Sequence, residues 1–312
     1  MMAPASKTVL RRLILLVLTL LLLACQKHTA QSPDPSKPQQ PPRPALSLII
    51  HPYDNPSRLL AKFSPLASYL GEQLNLPVEL VIARSYIDQI QRISSGQADL
   101  AYMGPTPFLR AQDHYLKHSQ NKLIPLAAEV KQGRASYHSV IVVREDAPIA
   151  ELADLSNRTL AFGAPHSFSS HYVPRVMLGN AGLSIEDLRD YAFLGRHERV
   201  ALSVLHGDFD AGGINEDVAR QYNERSPGLR VLSTSPPLPP HLIVARPGLE
   251  QKHVIALRSA LISPTEDPAG FAQAMQALGG ATRFTKPEMS RFQRARRVIA
   301  TVESTPAELP QW

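Results

Sequence analysis

Two kinds of hydrophobic pattern alternate along the first part of the chain. Short continuous apolar runs, of which LSLIIH at Leu46–His51 is the first, are typical of buried strands. Between these runs, apolar residues recur at helical spacing, as they do in Leu59–Leu74. The predicted elements that follow are a strand at Pro77–Ile82, a helix at Tyr86–Ser95, a strand at Ala98–Met103 and a helix at Phe108–Tyr115. This βαβ spacing predicts a parallel sheet with helices on both faces.

The pattern starts again with YHSVIVVR at Tyr137–Arg144, which predicts another strand. Strands and helices then alternate to about residue 245, and Leu249–Val302 is predicted to be helical. The other elements of this second series are helices at Ile149–Leu155 and His197–Leu205 and strands at Thr159–Phe162, Tyr191–Leu194, Phe209–Ile214, Leu229–Ser233 and His241–Ala245. Because the pattern starts again, two similar α/β units with a cleft between them are the simplest interpretation. No short-period repeat is visible.

The N-terminus has the layout of an export signal. Lys7, Arg11 and Arg12 precede LILLVLTLLLLA at residues 13–24. Those twelve residues would span about 18 Å as a helix, less than the roughly 30 Å core of a bilayer, which favours a secretory signal. The signal ends in LLAC, which resembles the bacterial lipobox. That resemblance implies cleavage before Cys25 and a diacylglycerol on its sulfur, with an uncleaved signal anchor as the alternative.

The segment after the cysteine is predicted to be a tether. Residues 26–45 read QKHTAQSPDPSKPQQPPRPA, with six prolines and little to bury. Such a composition favours extended polyproline-type chain. We therefore assign residues 1–24 to a lipoprotein signal peptide and residues 25–45 to the lipidated cysteine and its Pro-rich tether.

Charge and motif content narrow the classes of function. The chain has a net charge of +6, and removal of residues 1–24 leaves 30 basic against 27 acidic residues, too balanced to indicate nucleic-acid binding. The sequence has no G-x-S-x-G, P-loop, G-x-G-x-x-G or H-E-x-x-H motif, so we expect no enzyme activity and no cofactor. Two weaker alternatives are a catalytic triad of Ser167, His197 and Asp210, and capture of a transition metal near His166 and His171.

A serine-rich loop supplies chemistry suited to an anion. Ser167–Ser170 follows a predicted strand and precedes a helix that we predict to begin near His171. Free N–H groups and the dipole at a helix N-terminus attract anions, and serine hydroxyls add donors that can rotate. Ordinary helix capping is the alternative interpretation, because serine is a common N-cap.

Several segments along the chain form a recognisable series, and the longest is QADLAYMGPTPF at Gln97–Phe108. The other segments are Tyr53–Asn55, Phe63–Leu70, Ser85–Tyr86, Ser136–Val140, Ser167–Ser170 with Pro174, Gly195–Glu198, Gly207–Ala211 and Ser235–Pro236. In this order, the segments resemble motifs of the PhnD-like periplasmic binding proteins of phosphonate, phosphite and phosphate transporters. The resemblance covers about residues 46–245.

The resemblance implies a type II periplasmic-binding-protein fold, in which two lobes, each a mostly parallel sheet flanked by helices, are joined by two crossing segments. We place lobe 1 at residues 46–138 plus 243–312 and lobe 2 at residues 139–242. The implied role is capture of a small oxyanion in the cleft between the lobes, for an ABC permease and its ATPase. The protein would be a monomer in the periplasm or another extracytoplasmic space, held to a membrane through Cys25. A sensory binding protein for another oxyanion or organic anion is the alternative.

The resemblance also implies a set of ligand-binding residues. They are Tyr86, Gly104, Thr106, Tyr137, Ser167, Ser169, Ser170, His197 and Asp217. Glu216 competes with Asp217 as the acid that faces the ligand, where an acid would favour a ligand with an amino group. The chain departs from the family where Phe168 replaces a threonine and Ser170 a glycine. We expect the aromatic ring to narrow the pocket or to stack on the ligand.

Overall fold

The computed structural model describes residues 45–118, 121–225, 227–264 and 267–304. The predicted signal peptide, Cys25 and all but the last residue of the predicted tether lie outside the described residues. The assignments made for them therefore stay predictions. Within the described ranges, no helix is both long enough and apolar enough to cross a membrane.

The described residues form eleven strands and nine α-helices. The strands are β1 (Leu46–Ile50), β2 (Val78–Ile82), β3 (Leu100–Met103), β4 (Ile124–Lys131), β5 (Ser139–Arg144), β6 (Thr159–Phe162), β7 (Asp190–Phe193), β8 (Ala211–Asn215), β9 (Leu229–Thr234), β10 (Leu242–Ala245) and β11 (Thr282–Thr285). The helices are α1 (Pro56–Leu74), α2 (Tyr86–Ser94), α3 (Pro105–His118), α4 (Val173–Asn180), α5 (His197–His206), α6 (Glu216–Arg225), α7 (Gln251–Ile262), α8 (Pro268–Ala277) and α9 (Arg291–Ser304).

The strands belong to two sheets. The first has the order β11-β4-β10-β3-β1-β2, in which β1 is parallel to β2 and β3, while β10 and β11 run against their neighbours. The second has the order β7-β6-β8-β5-β9, in which β6 is parallel to β7 and β8, and β5 is antiparallel to β8 and β9. Most strands of each sheet therefore share one direction, and the predicted two-lobe α/β fold is confirmed.

Helix α1 illustrates how the sequence pattern produces this fold. The Asn55 side chain accepts a hydrogen bond from the backbone N–H of Ser57, and proline occupies the first turn. The helix then buries an apolar face that includes Phe63 and Leu66, in the same core cluster as Ile50 of β1. This packing fixes the position of the chain as it leaves β1, where the cleft begins.

The chain crosses between the sheets twice. It leaves the first sheet after β4 and enters the second at β5, and it returns between β9 and β10. An isolated antiparallel bridge between Tyr137 and Leu238 pairs the two crossings. The predicted lobe boundary at residues 138 and 139 coincides with the start of β5, whereas the one at residues 242 and 243 falls inside β10. Helix α9 contacts both halves, because Phe292 packs edge-on against Phe108 of α3 and Glu303 accepts a hydrogen bond from Tyr172.

Two strands of the first sheet differ from the sequence prediction. No element was predicted at β4, and the all-helical tail is wrong at β11, where Thr282–Thr285 pairs with Ala128–Lys131. Both strands are stabilised by partners far away in the sequence. Local periodicity does not contain that information.

Candidate functional site

A cleft of about 290 Å³ lies between the two halves of the molecule. Seven of the nine predicted ligand-binding residues line it. They are Tyr86, Gly104, Tyr137, Ser167, Ser169, His197 and Asp217. The structure therefore brings together residues that are up to about 130 positions apart in the sequence.

The serine turn, which we define as Ser167–Ser170, provides unpaired donors at one wall of the cleft. Ser167 is the N-cap: its hydroxyl accepts a hydrogen bond from the backbone N–H of Ser170 at 3.2 Å. The helix begins at Phe168, three residues earlier than predicted, as a π-helical turn that continues into α4. Within the described part of the chain, the backbone N–H groups of Phe168 and Ser169 form no hydrogen bond. Such groups at a helix N-terminus suit an anion.

Two tyrosines lie close to this turn, Tyr86 from the first half of the molecule and Tyr137 from a crossing segment. The Tyr86 phenol interacts with the hydroxyl of Ser167, and the Tyr137 phenol interacts with that of Ser169. Burial raises the pKa of both phenols well above the usual value, so both keep their protons. Each can therefore act as a neutral hydrogen-bond donor.

His197 presents a defined tautomer to the cleft. Its Nδ1 accepts a hydrogen bond from the backbone N–H of Asn215 at 3.0 Å, so the proton of the neutral ring is on Nε2. That Nε2 lies 3.3 Å from the Ser167 hydroxyl. Burial lowers the pKa of His197 to about 4, although the charge of Asp54 opposes the shift. The ring is therefore a neutral donor at physiological pH.

The same hydrogen bonds argue against a catalytic triad. An Nδ1 atom that accepts from a backbone amide cannot also donate to a carboxylate. The Asp210 carboxylate is instead bonded to the backbone N–H and hydroxyl of Thr159, at 2.8 and 2.9 Å. Among the described residues, no group of three His, Cys, Asp or Glu side chains is placed to hold a metal ion.

Thr106 and Ser170 do not line the cleft. Ser170 is fully buried, and its hydroxyl donates to the carbonyl of Gly213 at 2.6 Å and accepts from the backbone N–H of Gly163 at 2.7 Å. Thr106 is also fully buried, in the first turn of α3. We interpret the contacts of Ser170 as structural, because both sides of its hydroxyl are occupied. A ligand contact by either residue stays a prediction.

Phe168 lies at the edge of the cleft, with 4% of its surface exposed and most of the ring in the hydrophobic core. The core cluster to which Phe168 belongs also includes Tyr137, Tyr172 and Leu238. The ring therefore forms part of the cleft wall beside the serine turn. That the ring narrows the pocket or stacks on the ligand stays a prediction.

A charged cluster spans the cleft beyond the serine turn. The Lys131 ammonium lies 3.4 Å from Glu129 of its own strand and 3.5 Å from Asp217 of α6, in the other half of the molecule. Asp217 is also paired with Arg220. Burial acts to raise the pKa of Asp217, but the two cations outweigh it and the pKa is lowered. Of the two candidate acids, Asp217 lines the cleft, whereas Glu216 accepts a hydrogen bond from the backbone N–H of His138.

The sequence analysis missed an aromatic stack on the wall formed by the first sheet. His51, Tyr102 and His241 lie with their rings nearly parallel, and all three line the cleft. The Nδ1 of His51 donates to the backbone carbonyl of Tyr102 at 3.1 Å. A signal for His51 was available, because it directly follows β1 and ligands of open α/β sheets bind at the carboxyl ends of strands.

Comparisons with known proteins agree with this geometry. A family model described as the periplasmic substrate-binding protein of phosphonate ABC transporters matches residues 48–292. The chain is 30% identical over 177 residues to the phosphate-import protein PhnD of Mycolicibacterium smegmatis, an alignment that covers 54% of each chain. It is also 22% identical over 257 residues to the probable ABC transporter phosphite binding protein PhnD1 of Prochlorococcus marinus, which covers 77% of this chain and 84% of that one.

The fold is also similar to a solved structure. PhnD1 from Prochlorococcus marinus, in complex with methylphosphonate, superposes with a TM-score of 0.74 at 21% identity. The superposition covers 84% of this chain and 99% of PhnD1. At this level of identity, the likeness establishes a common fold.

Proposed function

Because the chain belongs to the family of periplasmic substrate-binding proteins of phosphonate ABC transporters, we propose that it captures a small phosphonate, phosphite or phosphate-like oxyanion in the cleft. The observation that supports this most is that neutral donors from several elements line the same cleft. The donors are the backbone N–H groups of Phe168 and Ser169, the hydroxyls of Ser167 and Ser169, the phenols of Tyr86 and Tyr137, and Nε2 of His197.

Neutral donors are sufficient to hold such an anion. Hydrogen bonds to a charged group contribute about 1.5–3 kcal/mol each, and a micromolar dissociation constant corresponds to about −8 kcal/mol. A few well-placed donors therefore account for micromolar binding once the costs of association are subtracted. Because the donors come from both halves of the molecule, the ligand would favour a conformation in which the halves lie close together.

We also propose that the bound form is recognised by a membrane permease coupled to an ATPase. The protein would act as a monomer outside the cytoplasm, held at a membrane by lipid on Cys25 with residues 26–45 as the tether. Transport distinguishes this role from a sensory one. Ligand uptake into vesicles that contain the permease and ATPase should require this protein.

Calorimetry on the full chain in detergent tests the binding proposal. We expect saturable heat with at least one of phosphate, phosphite, methylphosphonate and 2-aminoethylphosphonate, and none with zinc. Tyr137→Phe should weaken the best ligand about 10-fold by removing one donor to a charged group. Tyr115→Phe is the matched control, since that phenol donates to the carbonyl of Ile93 outside the cleft. Binding of zinc alone, or of none of these solutes, would contradict the proposal.

A further inference from the structure

The donors described above do not distinguish a phosphonate from a sulfonate of the same shape and charge, because each presents anionic oxygens that accept hydrogen bonds. An acceptor on the protein makes that distinction, since only an oxygen that carries a proton can donate to it. We infer that His51 is this acceptor, and that the cleft selects a P–OH group on the ligand. The inference rests on the proposed function and specifies the protonation state of its ligand.

The hydrogen bonding of His51 fixes which ring nitrogen is the acceptor. Nδ1 lies 3.1 Å from the backbone carbonyl of Tyr102, which can only accept, so Nδ1 carries the proton. The same carbonyl also accepts from the Gln89 side chain at 2.8 Å, which holds the strand end in place. In the neutral ring, Nε2 is therefore a bare acceptor.

This acceptor faces the cleft and has no partner among the described residues. His51 lines the cleft with only 2% of its surface exposed. No described residue donates a hydrogen bond to its Nε2. Nε2 is not one of the fully buried, unpartnered side-chain atoms of the described residues, so it stays accessible from the cleft. A ligand hydroxyl that donates to Nε2 forms a hydrogen bond that an analogue without this proton cannot form.

The surroundings of His51 keep the ring neutral. The titratable groups that face it are the phenols of Tyr53, Tyr86 and Tyr102 and the ring of His241, with His197 at longer range. None of these groups is an anion at neutral pH. Burial lowers the pKa of His51 to about 3, although its bond to the Tyr102 carbonyl opposes this shift. The acceptor is therefore present over the whole neutral pH range.

The position of His51 relative to the donors suits one small ligand. Its ring centre lies 4.8 Å from that of Tyr86. The Tyr86 phenol interacts with the Ser167 hydroxyl, which is 3.3 Å from Nε2 of His197. One tetrahedral anion can thus accept from the serine turn and His197 while its protonated oxygen donates to His51.

Two ligands of similar shape differ in the hydroxyl that would donate a hydrogen bond to His51. The methylphosphonate monoanion and methanesulfonate have the same shape and charge, but only methylphosphonate has a hydroxyl. The O-methyl ester of methylphosphonate is a third probe: it is a monoanion that has lost this hydroxyl. We expect the full-length protein to bind methylphosphonate on the order of 100-fold more tightly than methanesulfonate, and to bind the ester as weakly as the sulfonate.

The variant His51→Asn tests whether His51 causes the discrimination between methylphosphonate and methanesulfonate. The asparagine amide can still donate to the Tyr102 carbonyl, but it does not reach the position of Nε2. We expect methylphosphonate affinity to fall about 10- to 100-fold and methanesulfonate affinity to stay within about 3-fold, so that the selectivity largely disappears. His138→Asn is the matched control, because His138 also contacts a backbone carbonyl through Nδ1, at 2.7 Å from Ser235, but does not line the cleft.

The outcomes separate this inference from the proposed function. Equal binding of methylphosphonate and methanesulfonate by the unmodified protein overturns the inference and leaves oxyanion capture standing. This comparison needs no variant, so it holds even if His51→Asn does not fold. Unchanged selectivity in a folded His51→Asn protein also overturns it. Failure to bind any of the oxyanions overturns the inference and the proposed function together.

Discussion

Two adjacent serines should differ sharply when each is replaced by alanine. Ser169 lines the cleft, where its hydroxyl interacts with the Tyr137 phenol. Ser170 is fully buried, and its hydroxyl joins Gly163 and Gly213 through bonds of 2.7 and 2.6 Å. Ser169→Ala should therefore affect ligand binding, whereas Ser170→Ala should affect stability.

The structure sets the size of both effects. Ser169→Ala removes one donor to a charged ligand, about 1.5–3 kcal/mol, which corresponds to roughly 10- to 150-fold in the dissociation constant. Ser170→Ala removes two buried hydrogen bonds, although the Gly163 amide keeps a second acceptor in the Ser170 carbonyl. We expect the free energy of unfolding to fall by about 2 kcal/mol, a decrease in Tm of about 4–8 °C.

Calorimetry with methylphosphonate and thermal unfolding without ligand measure the two effects on each variant. We expect the Tm of Ser169→Ala within about 2 °C of the parent, and the affinity of Ser170→Ala within a few-fold of it. The reverse result, with affinity lost in Ser170→Ala and stability lost in Ser169→Ala, would refute the geometry assigned to the serine turn.

Two further expectations follow from the charges around the cleft. Burial lowers the pKa of His51 to about 3 and that of His197 to about 4, against about 6.5 in an unfolded chain. Below about pH 6.5, the unfolded chain therefore binds more protons than the folded chain. The free energy of unfolding should be highest above about pH 6.5 and should fall as the pH drops towards 4. The decrease should be up to about 1.4 kcal/mol per pH unit for each ring. Urea unfolding at pH 7, 6 and 5 measures this, and a flat profile would contradict it. Lys131→Met removes the cation that lies 3.5 Å from Asp217, which leaves more negative charge near the anion site. Methylphosphonate affinity measured by calorimetry should fall about 10-fold, while Lys117→Met, on the exposed surface of α3, should not change it.

The sequence was most informative where local pattern determines local structure. The alternation in residues 46–103 correctly predicted β1, β2 and β3 and the helices between them, because each element has its own periodicity. Strand β11 was missed because Thr282–Thr285 becomes a strand only by pairing with β4. Its short sequence has no pattern of its own that would distinguish it from the helices on either side.

Prediction from local sequence pattern is limited in the same way at the cleft. The resemblance pointed to the serine turn, but only the three-dimensional structure separates Ser169 in the cleft from Ser170 in the core. His51 and His241 are far apart in the sequence, and the pairing of β1 and β10 with β3 brings their rings together. No local pattern could have predicted that stack.

A crystal structure of the full chain with methylphosphonate tests the central claim most directly. We expect phosphonate oxygens at hydrogen-bond distance, about 2.7–3.2 Å, from the backbone nitrogens of Phe168 and Ser169, with His197 and Tyr137 completing the shell. A phosphonate bound elsewhere, with these two amides still unoccupied, would contradict the account.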